Sequence, residues 1–284
     1  MTLIAYNQVP MPTLMYGTAW KKDATSRLVQ LAVESGFKAI DTANQLIHYR
    51  EAMVGDALKV LHQNGINRDT LFLQTKFTSV DGQGNQTPYD AAADLTTQVK
   101  QSVDSSLIHL HTDYFDSYVL HGPYSGSGLK AEDWEVWAAI EELYKAGTVR
   151  MIGISNVTAE QLGELCAKAK TKPMVVQNRC YAVTGWDQEV RKICTAHGII
   201  YQGFSLLTAN ARVIGDPAVR AIAERLKTGV AQVIFRFAMQ IGMLPLTGTT
   251  NQQHMKEDLQ ADQLNLSAAD VQHIETIGMT AQHS

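Results

Sequence analysis

Three side chains of this sequence that can hold or move protons each come directly after an apolar, strand-like run. They are Asp41, Lys76 and His121, a carboxylate, an ammonium and an imidazole. A phenol, Tyr49, follows Asp41 in a segment whose pattern predicts a loop. In barrels of parallel strands, functional groups gather at the carboxyl ends of the strands. The four side chains could therefore assemble one site that handles protons.

The chemistry expected of this set is the protonation of an oxygen on which negative charge develops. A lysine that ends a buried strand is costly to leave unpaired, and Asp41 is its natural counter-ion on a neighbouring strand. The Lys76 ammonium favours a phenolate, so we expect the pKa of Tyr49 to fall from about 10. Tyr49 would act as a general acid, and His121 would orient a carbonyl oxygen with a hydrogen bond. None of the four can supply a hydride, so a reduction would need a cofactor.

Each of these residues also has a purely structural interpretation. Asp41 could cap the turn after its strand, Lys76 could pair with an acid at the surface, and His121 could be a hydrogen-bonded core histidine. Taken singly, each structural interpretation is at least as good as the catalytic one. Their coincidence at the strand ends of one fold favours a common site.

The composition of the chain predicts a single globular domain with neither a nucleic-acid nor a membrane partner. The chain has 284 residues, 45% hydrophobic content and a net charge of -4. It shows no basic block and no apolar run long enough to span a bilayer. Its first residues lack the basic and apolar regions of a secretory signal, so none is expected. The three cysteines, at positions 166, 180 and 194, show no CxxC spacing, which favours a reduced, cytoplasmic protein.

Strand-like apolar runs alternate with helix-period segments along the chain. This alternation predicts a parallel sheet with right-handed crossovers, and eight such units predict a closed (β/α)8 TIM barrel of the α/β class. An open sheet that binds a dinucleotide would carry GxGxxG after its first strand, whereas residues 17–22 are GTAWKK. We therefore predict one barrel domain over residues 1–284. The predicted strands are residues 13–16, 37–40, 71–76, 115–120, 149–154, 173–177, 199–203 and 243–246, and the clearest helices are residues 51–62, 91–110, 134–146 and 159–169.

Three segments around these residues follow the pattern of a known family. They are Asp41-Thr42-Ala43 with Tyr49, Glu51 and Val54-Gly55, then Asp113-Tyr114-Phe115-Asp116 with Leu120-His121, and Gly147-Thr148-Val149-Arg150-Met151-Ile152-Gly153-Ile154-Ser155-Asn156. They resemble the signatures of the aldo-keto reductases, and the resemblance runs over nearly the whole chain. It implies hydride transfer from a nicotinamide cofactor to a carbonyl carbon. It also implies that Tyr49 is the general acid and that Lys76 and Asp41 tune it. His121 would orient the carbonyl.

One position departs from the family pattern. The pattern places its tyrosine three residues before the glutamate, and counting back from Glu51 that position is His48. Tyr49 is its neighbour, and a two-residue insertion within residues 44–47 accounts for the shift. We assign the acid role to Tyr49, because the chemistry requires a phenol. His48 is its rival for proton transfer and a candidate to line the pocket.

The resemblance also implies which residues contact the cofactor. Ser155, Asn156 and Gln177 correspond to the polar trio that holds the nicotinamide carboxamide, and neutral amides and hydroxyls suit a planar amide. Phe204 stands where the family usually places a tyrosine that stacks on the nicotinamide. A turn that opens a helix suits a phosphate, because its backbone N–H groups are free. The other implied contacts are Thr18, Ala19, Ser205, Leu207, Thr247, Gly248 and Thr249.

The preference between NADPH and NADH depends on few residues. NADPH-dependent relatives often carry a lysine just after the proline of the last strand, where this chain has Leu246. The position of their arginine falls near His254, or at Gln252 if the gap is placed differently, and the acidic Glu257 and Asp258 are close by. A 2′-phosphate is best bound by a guanidinium, so these residues weaken the family's preference for NADPH. We expect NADPH to be favoured and NADH to be usable.

The substrate is expected to be a small carbonyl compound whose pocket includes Trp20, His48 and Tyr124. The sequence predicts neither its identity nor the oligomeric state. The main alternative is a non-enzymatic barrel that binds a nicotinamide cofactor and acts as a sensor or regulatory subunit. A metal-dependent barrel hydrolase is a third hypothesis. His109 and His111 form an HxH pair, but their place at a helix end favours a solvated terminus, so no metal is expected.

Overall fold

Residues 2–279, the part of the chain that the computed structural model describes, form ten strands and eleven α-helices. The strands are β1 (Thr2–Ile4), β2 (Pro10–Pro12), β3 (Met15–Gly17), β4 (Ala39–Asp41), β5 (Phe72–Phe77), β6 (Ser117–Leu120), β7 (Ile152–Ser155), β8 (Val175–Arg179), β9 (Ile200–Phe204) and β10 (Met243–Thr247). The helices are α1 (Thr25–Ser35), α2 (Glu51–Gln63), α3 (Leu95–Leu110), α4 (Ala131–Lys145), α5 (Ala159–Lys168), α6 (Gln188–His197), α7 (Ala211–Ile214), α8 (Pro217–Arg225), α9 (Val230–Gln240), α10 (Gln252–Leu259) and α11 (Ala268–Ile277). Short 3-10 turns lie at Lys22–Ala24, Arg68–Thr70, Val80–Gly82, Ala182–Thr184 and Gln260–Gln263.

Strands β3 to β10 close into an eight-stranded parallel barrel, so the predicted (β/α)8 fold class is confirmed. Each strand pairs with its neighbours in the sequence, and β10 returns to β3 through the pair Thr247 and Tyr16. Parallel neighbours need a crossover, and a helix follows every barrel strand. All the carboxyl ends of the strands therefore lie at one face of the barrel.

All eight predicted barrel strands are present, but most begin one to three residues later than predicted. The strand predicted at residues 149–154 is β7, and the one predicted at residues 173–177 is β8. The prediction followed apolar residues, whereas the hydrogen-bond ladder continues into polar residues at the carboxyl ends. Ser155 pairs with Gln177, and Asp41 pairs with Gly17 in this way.

The N-terminal hairpin of β1 and β2 was not among the predicted elements. Met11 of β2 is fully buried, and its Sδ lies 3.7 Å from Nε2 of Gln202 in β9. The Tyr6 hydroxyl donates a hydrogen bond to the Lys172 carbonyl at 2.6 Å, just before β8 begins. The hairpin therefore covers the amino-terminal end of the barrel, and the carboxyl-terminal end is left for a site.

The third helix is shorter than predicted. Residues 91–110 were expected to be helical, but α3 begins at Leu95. The Asp94 side chain accepts a hydrogen bond from the Thr97 backbone N–H at 2.8 Å, which satisfies one of the free donors at the helix start. The helix therefore begins at a cap that the apolar periodicity does not reveal.

Helix α2 approaches α3 most closely at a glycine. A Cβ added to Gly55 would lie 1.8 Å from the His109 carbonyl oxygen, far inside van der Waals contact. Gly163 of α5 is a contrasting case, because nothing lies within 4 Å of its added Cβ. The same methyl group should therefore have opposite effects in the two helices.

We expect Gly55→Ala to destabilise the protein by about 1–3 kcal/mol, the usual result of inserting a methyl into packed structure. Gly163→Ala is the matched control, and should gain up to about 1 kcal/mol from helix propensity. The midpoint of urea unfolding measures both. Equal midpoints for the two variants would contradict the close packing of α2 on α3.

Candidate active site

The Lys76 ammonium is buried inside the barrel and bonded to Asp41. Its Nζ lies 2.6 Å from Asp41 Oδ1 and 2.7 Å from the Thr42 carbonyl oxygen. Lys76 is 0% exposed and Asp41 is 3% exposed. Burial lowers the pKa of Lys76, and the Asp41 carboxylate opposes that shift. The predicted pairing of Lys76 with Asp41 is confirmed.

Three buried glutamines surround this pair in the barrel interior. Asp41 Oδ1 accepts hydrogen bonds from Gln74 Nε2 at 2.8 Å and from Gln177 Nε2 at 3.1 Å. Gln74 and Gln202 exchange two amide hydrogen bonds of 2.8 and 2.9 Å, and Gln177 Nε2 donates to Gln202 Oε1 at 2.9 Å. Barrel interiors are usually filled by branched apolar side chains. This closed amide network instead holds the carboxylate with directed donors.

Tyr49 and His121 complete the cluster beside the ion pair. Lys76 Nζ lies 5.2 Å from the centre of the Tyr49 ring, and the Tyr49 and His121 rings are 6.0 Å apart, edge to face. The Tyr49 side chain is nearly buried, and its hydroxyl has no hydrogen-bond partner within residues 2–279. The structure therefore brings the four predicted catalytic residues together, and their roles remain a proposal.

The predicted fall in the pKa of Tyr49 is wrong for the protein alone. Burial raises the pKa of Tyr49 above its ordinary value, and the negative charge of Asp41 adds to the rise. The expectation considered the Lys76 ammonium and neglected that Asp41 neutralises it at 2.6 Å. A raised pKa keeps the proton on Tyr49 at neutral pH, so the side chain is a neutral phenol and not a resting phenolate.

His121 is an uncharged imidazole at neutral pH. Burial lowers the pKa of His121 to about 3, and the positive charges of Lys76 and His48 act in the same direction. Its Nδ1 lies 2.7 Å from the Thr78 hydroxyl oxygen, and its Nε2 has no partner among the described residues. The histidine therefore has one anchored and one free ring nitrogen.

The residues predicted to hold a carboxamide lie side by side next to His121. The Ser155 hydroxyl donates to the Gln177 backbone carbonyl at 2.5 Å. Asn156 Nδ2 donates to the His121 carbonyl at 2.8 Å from a backbone with φ of 53°. Gln177 Oε1 accepts no hydrogen bond from residues 2–279. Phe204 is partly exposed at the end of β9, with the Arg179 guanidinium 5.5 Å from its ring centre.

The predicted phosphate corner lies at the end of β10. The Thr247 hydroxyl donates to Asp258 Oδ2 at 2.8 Å, and burial raises the pKa of Asp258 to about 6. The Gly248 carbonyl accepts a hydrogen bond from Lys21 Nζ. Lys21 was not among the predicted cofactor residues, although its position just after the first barrel strand places it at the carboxyl face. It supplies the corner with a cation.

The remaining predicted cofactor residues differ in exposure. Thr18 is buried, and its hydroxyl donates to the Asp41 backbone carbonyl at 2.9 Å, so its side chain joins β3 to β4. His254 is exposed near the start of α10. The others are partly exposed at the carboxyl face or on α10: Ala19, Ser205, Leu207, Thr249 and Glu257.

The predicted pocket residues lie at the mouth of the site and differ in exposure. Trp20 is 62% exposed, and its ring centre lies 4.2 Å from that of His48. His48 Nδ1 lies 2.7 Å from Gln45 Oε1, and burial lowers the pKa of His48. The Tyr124 hydroxyl is buried without a partner among the described residues, and burial raises the pKa of Tyr124 to about 12.

The HxH pair has a structural role that the sequence interpretation did not predict. His109 Nδ1 lies 3.0 Å from Glu51 Oε2, and the Glu51 side chain is only 2% exposed, so the helix end is not simply solvated. Within residues 2–279 no group of three or more His, Cys, Asp or Glu side chains is placed to hold a metal ion. No helix in the same part of the chain is long and apolar enough to cross a membrane.

A sequence profile of the Aldo/keto reductase family matches residues 13–278. The chain belongs to the aldo-keto reductase family. Members of this family are NAD(P)H-dependent oxidoreductases that act on small carbonyl compounds, and this aldo-keto reductase is an enzyme of that class.

Named relatives and a solved structure support the assignment to the aldo-keto reductases. Glyoxal reductase of Bacillus subtilis (strain 168) is 30% identical over 278 residues, covering 97% of this chain and 92% of the relative. NADPH-dependent codeinone reductase 1-4 of Papaver somniferum is 31% identical over 293 residues, covering 95% and 87%. The crystal structure of an aldo/keto reductase from Brucella melitensis superimposes with a TM-score of 0.83 at 28% identity, covering 98% and 99%.

The amide network of this aldo-keto reductase predicts non-additive mutations. Gln202→Leu should cost about 1–3 kcal/mol of stability, because it leaves the buried Gln74 Oε1 without a donor. Gln74→Leu with Gln202→Leu should cost less than the sum of the single variants, because both partners are then apolar. Urea unfolding of the wild type, the two single variants and the double variant measures the coupling free energy between Gln74 and Gln202. Strictly additive losses would show that the reciprocal pair contributes nothing.

Proposed function

We propose that this enzyme reduces the carbonyl group of small aldehydes and ketones to an alcohol, with Tyr49 as the general acid. The observation that carries the proposal is the pair of unpartnered groups on adjacent rings. The Tyr49 hydroxyl and His121 Nε2 have no hydrogen-bond partners within residues 2–279, although both rings are mostly enclosed. Such groups are costly to leave unpaired, and the oxygen of a carbonyl substrate can accept from both.

The residues at the carboxyl ends of β7, β8 and β9 fit a nicotinamide. Gln177 and Asn156 have amide oxygens without a partner among the described residues, which suits the NH2 group of a carboxamide. Phe204 offers a partly exposed aromatic face for stacking. The reduced nicotinamide supplies the hydride when it is bound.

The protein's own residues then manage charge and protons. His121 is neutral and donates a hydrogen bond to the carbonyl oxygen, which polarises and orients it. Tyr49 transfers its proton to that oxygen as negative charge builds there. The phenolate left on Tyr49 lies near the Lys76 ammonium, which stabilises it in a site of low polarity. Protonation of Tyr49 from solvent returns the enzyme to its starting state.

We further propose that NADPH is the preferred cofactor, that NADH is also used, and that the enzyme works in the cytoplasm. Lys21 beside Gly248 and the positive end of the α10 dipole offer positive charge for phosphates, while Asn251 Oδ1 already accepts from the Gln253 and His254 N–H groups. The exposed His254 is an imidazole and not a guanidinium, so a 2′-phosphate would lack its best partner there. The three cysteines are free and buried, as a reducing compartment allows.

The central test is Tyr49→Phe, assayed with NADPH and NADH against a panel of aldehydes and ketones. Loss of a general acid should lower kcat about 10²- to 10⁴-fold. Cofactor affinity, measured by quenching of protein fluorescence, should be unchanged. Tyr114→Phe is the matched control, because Tyr114 precedes β6 at the amino-terminal side of the barrel and contacts Arg68.

Two results would overturn this assignment. Turnover that survives in Tyr49→Phe and disappears in His48→Asn would move the acid role to His48. Wild-type protein that binds NADPH and reduces no carbonyl compound would favour the alternative, a nicotinamide-sensing barrel.

The cofactor proposal predicts that His254→Arg lowers the KM for NADPH about tenfold, the equivalent of one charge-assisted bond to a phosphate. The KM for NADH should not change, because NADH lacks the 2′-phosphate. His62→Arg, an exposed histidine at the far end of α2, makes the same charge change away from the site. Equal effects on NADPH and NADH would place the 2′-phosphate elsewhere.

A further inference from the structure

A single turn of the chain supports both histidines of the site. It comprises residues 79–83, which include the 3-10 turn Val80–Gly82 after β5. The Gly82 carbonyl accepts a hydrogen bond from Gln45 Nε2 at 2.6 Å. Gln83 Nε2 donates to the Asn44 carbonyl at 2.7 Å. The turn is thereby joined at two points to the loop that carries His48 and Tyr49.

The contact of Gln45 with Gly82 decides which nitrogen of His48 carries its proton. A carbonyl oxygen can only accept, so the amide end of Gln45 that faces Gly82 must be Nε2. Gln45 Oε1 then faces His48 Nδ1 at 2.7 Å and can only accept from it. His48 Nδ1 therefore carries the hydrogen. In the neutral ring Nε2 is an unprotonated acceptor, and it has no partner within residues 2–279.

The contact of Thr78 with His121 has the opposite polarity. The Thr78 hydroxyl is buried, and within the described residues its oxygen has one hydrogen-bond partner, His121 Nδ1 at 2.7 Å. A buried hydroxyl hydrogen without an acceptor is costly, so this hydroxyl donates to Nδ1. The proton of the neutral His121 ring therefore lies on Nε2. That nitrogen is the free one, and it is a donor.

Gly82 also holds the Thr78 hydroxyl in place. A Cβ on residue 82 would lie 2.7 Å from the Thr78 methyl carbon, so the methyl group occupies space that only glycine leaves free. The Thr78 carbonyl accepts from the Tyr89 hydroxyl at 2.6 Å, which fixes the backbone. With methyl and backbone both fixed, the hydroxyl is directed at His121.

We propose that the turn of residues 79–83 fixes His48 and His121 in opposite tautomers, so that the site presents one imidazole donor and one imidazole acceptor. Thr78 and Gln45 are the positioning residues. This inference rests on the proposed function, because it assigns the donor His121 Nε2 to the carbonyl oxygen. It adds that the acceptor His48 Nε2 takes a hydroxyl of the same substrate. The ligand class is therefore a carbonyl compound with a hydroxyl group on the neighbouring carbon.

The tautomers are measured directly by NMR of protein labelled with ¹⁵N at histidine. Protonated and unprotonated ring nitrogens of neutral imidazole have well-separated shifts. Comparison with His48→Asn and His121→Asn identifies the signals of these two residues among those of the nine histidines. We expect Nε2–H on His121 and Nδ1–H on His48. Thr78→Val should mix the His121 tautomers, and Thr78→Ser should retain the wild-type form. An unchanged His121 spectrum in Thr78→Val would overturn the assignment.

Steady-state kinetics with hydroxyacetone and 2-butanone test the predicted substrate preference. The two ketones differ by a hydroxyl in place of a methyl. Wild-type enzyme should favour hydroxyacetone at least tenfold in kcat/KM. Thr78→Val should lower kcat/KM at least tenfold for both ketones, with most of the loss in kcat, and Thr78→Ser should restore it. Gln45→Leu should lower kcat/KM more for hydroxyacetone than for 2-butanone and so remove the preference for hydroxyacetone.

Gln83→Leu is the matched control for Gln45→Leu, because Gln83 joins the same turn to the same loop and touches neither histidine. It should keep the preference for hydroxyacetone. Equal loss of preference in both variants would show that the turn acts only as a structural support, and would overturn the proposal. The NMR arm uses no substrate. The wild-type protein could therefore show the two expected tautomers and yet reduce neither ketone nor any aldehyde. That outcome would reject the proposed function and retain the assignment of the two tautomers.

Discussion

The site depends on one interaction, the buried ion pair of Lys76 with Asp41. An ammonium taken out of water loses several kcal/mol of hydration, and a partner at 2.6 Å is what makes its burial tolerable. The pairing requires β4 and β5 to be adjacent and in the register that places Asp41 opposite Gln74. Gln74 and Gln177 then satisfy the same carboxylate oxygen, so its charge is held by three donors.

This pair also bears on the protonation state of Tyr49. In the resting protein the positive charge of Lys76 is balanced by Asp41, and burial keeps the phenol protonated. When the proton leaves in the proposed reaction, a negative charge forms on a ring whose centre lies 5.2 Å from the ammonium, in surroundings that water screens poorly. In the proposed reaction the Lys76 ammonium attracts this charge and the Asp41 carboxylate repels it, so the pair favours proton transfer only where the ammonium is the nearer charge.

The sequence predicted the barrel and the four central residues, because each depends on local pattern and strand order. Alternating strands and helices imply the closed sheet, and neighbouring strands imply that Lys76 meets Asp41. What it could not predict are contacts between distant segments. Lys21 reaches Gly248 across 227 positions of the chain, and His109 meets Glu51 because α2 packs on α3. Gln74 and Gln202 stand in apolar runs, where periodicity does not tell which side chains face the barrel interior.

The amide network connects the proposed catalytic residues to the proposed cofactor residues. Neither proposed role by itself would require this connection. Gln177 Nε2 is shared between Asp41 Oδ1 and Gln202 Oε1. Turning this amide around would break both bonds and bring two oxygens against Oε1, so its orientation is determined by the same contacts that hold the carboxylate. Gln177 Oε1 is thereby left as the acceptor at the carboxyl face of the barrel. The contacts that hold the Asp41 carboxylate thus also determine which Gln177 atom faces the proposed cofactor site.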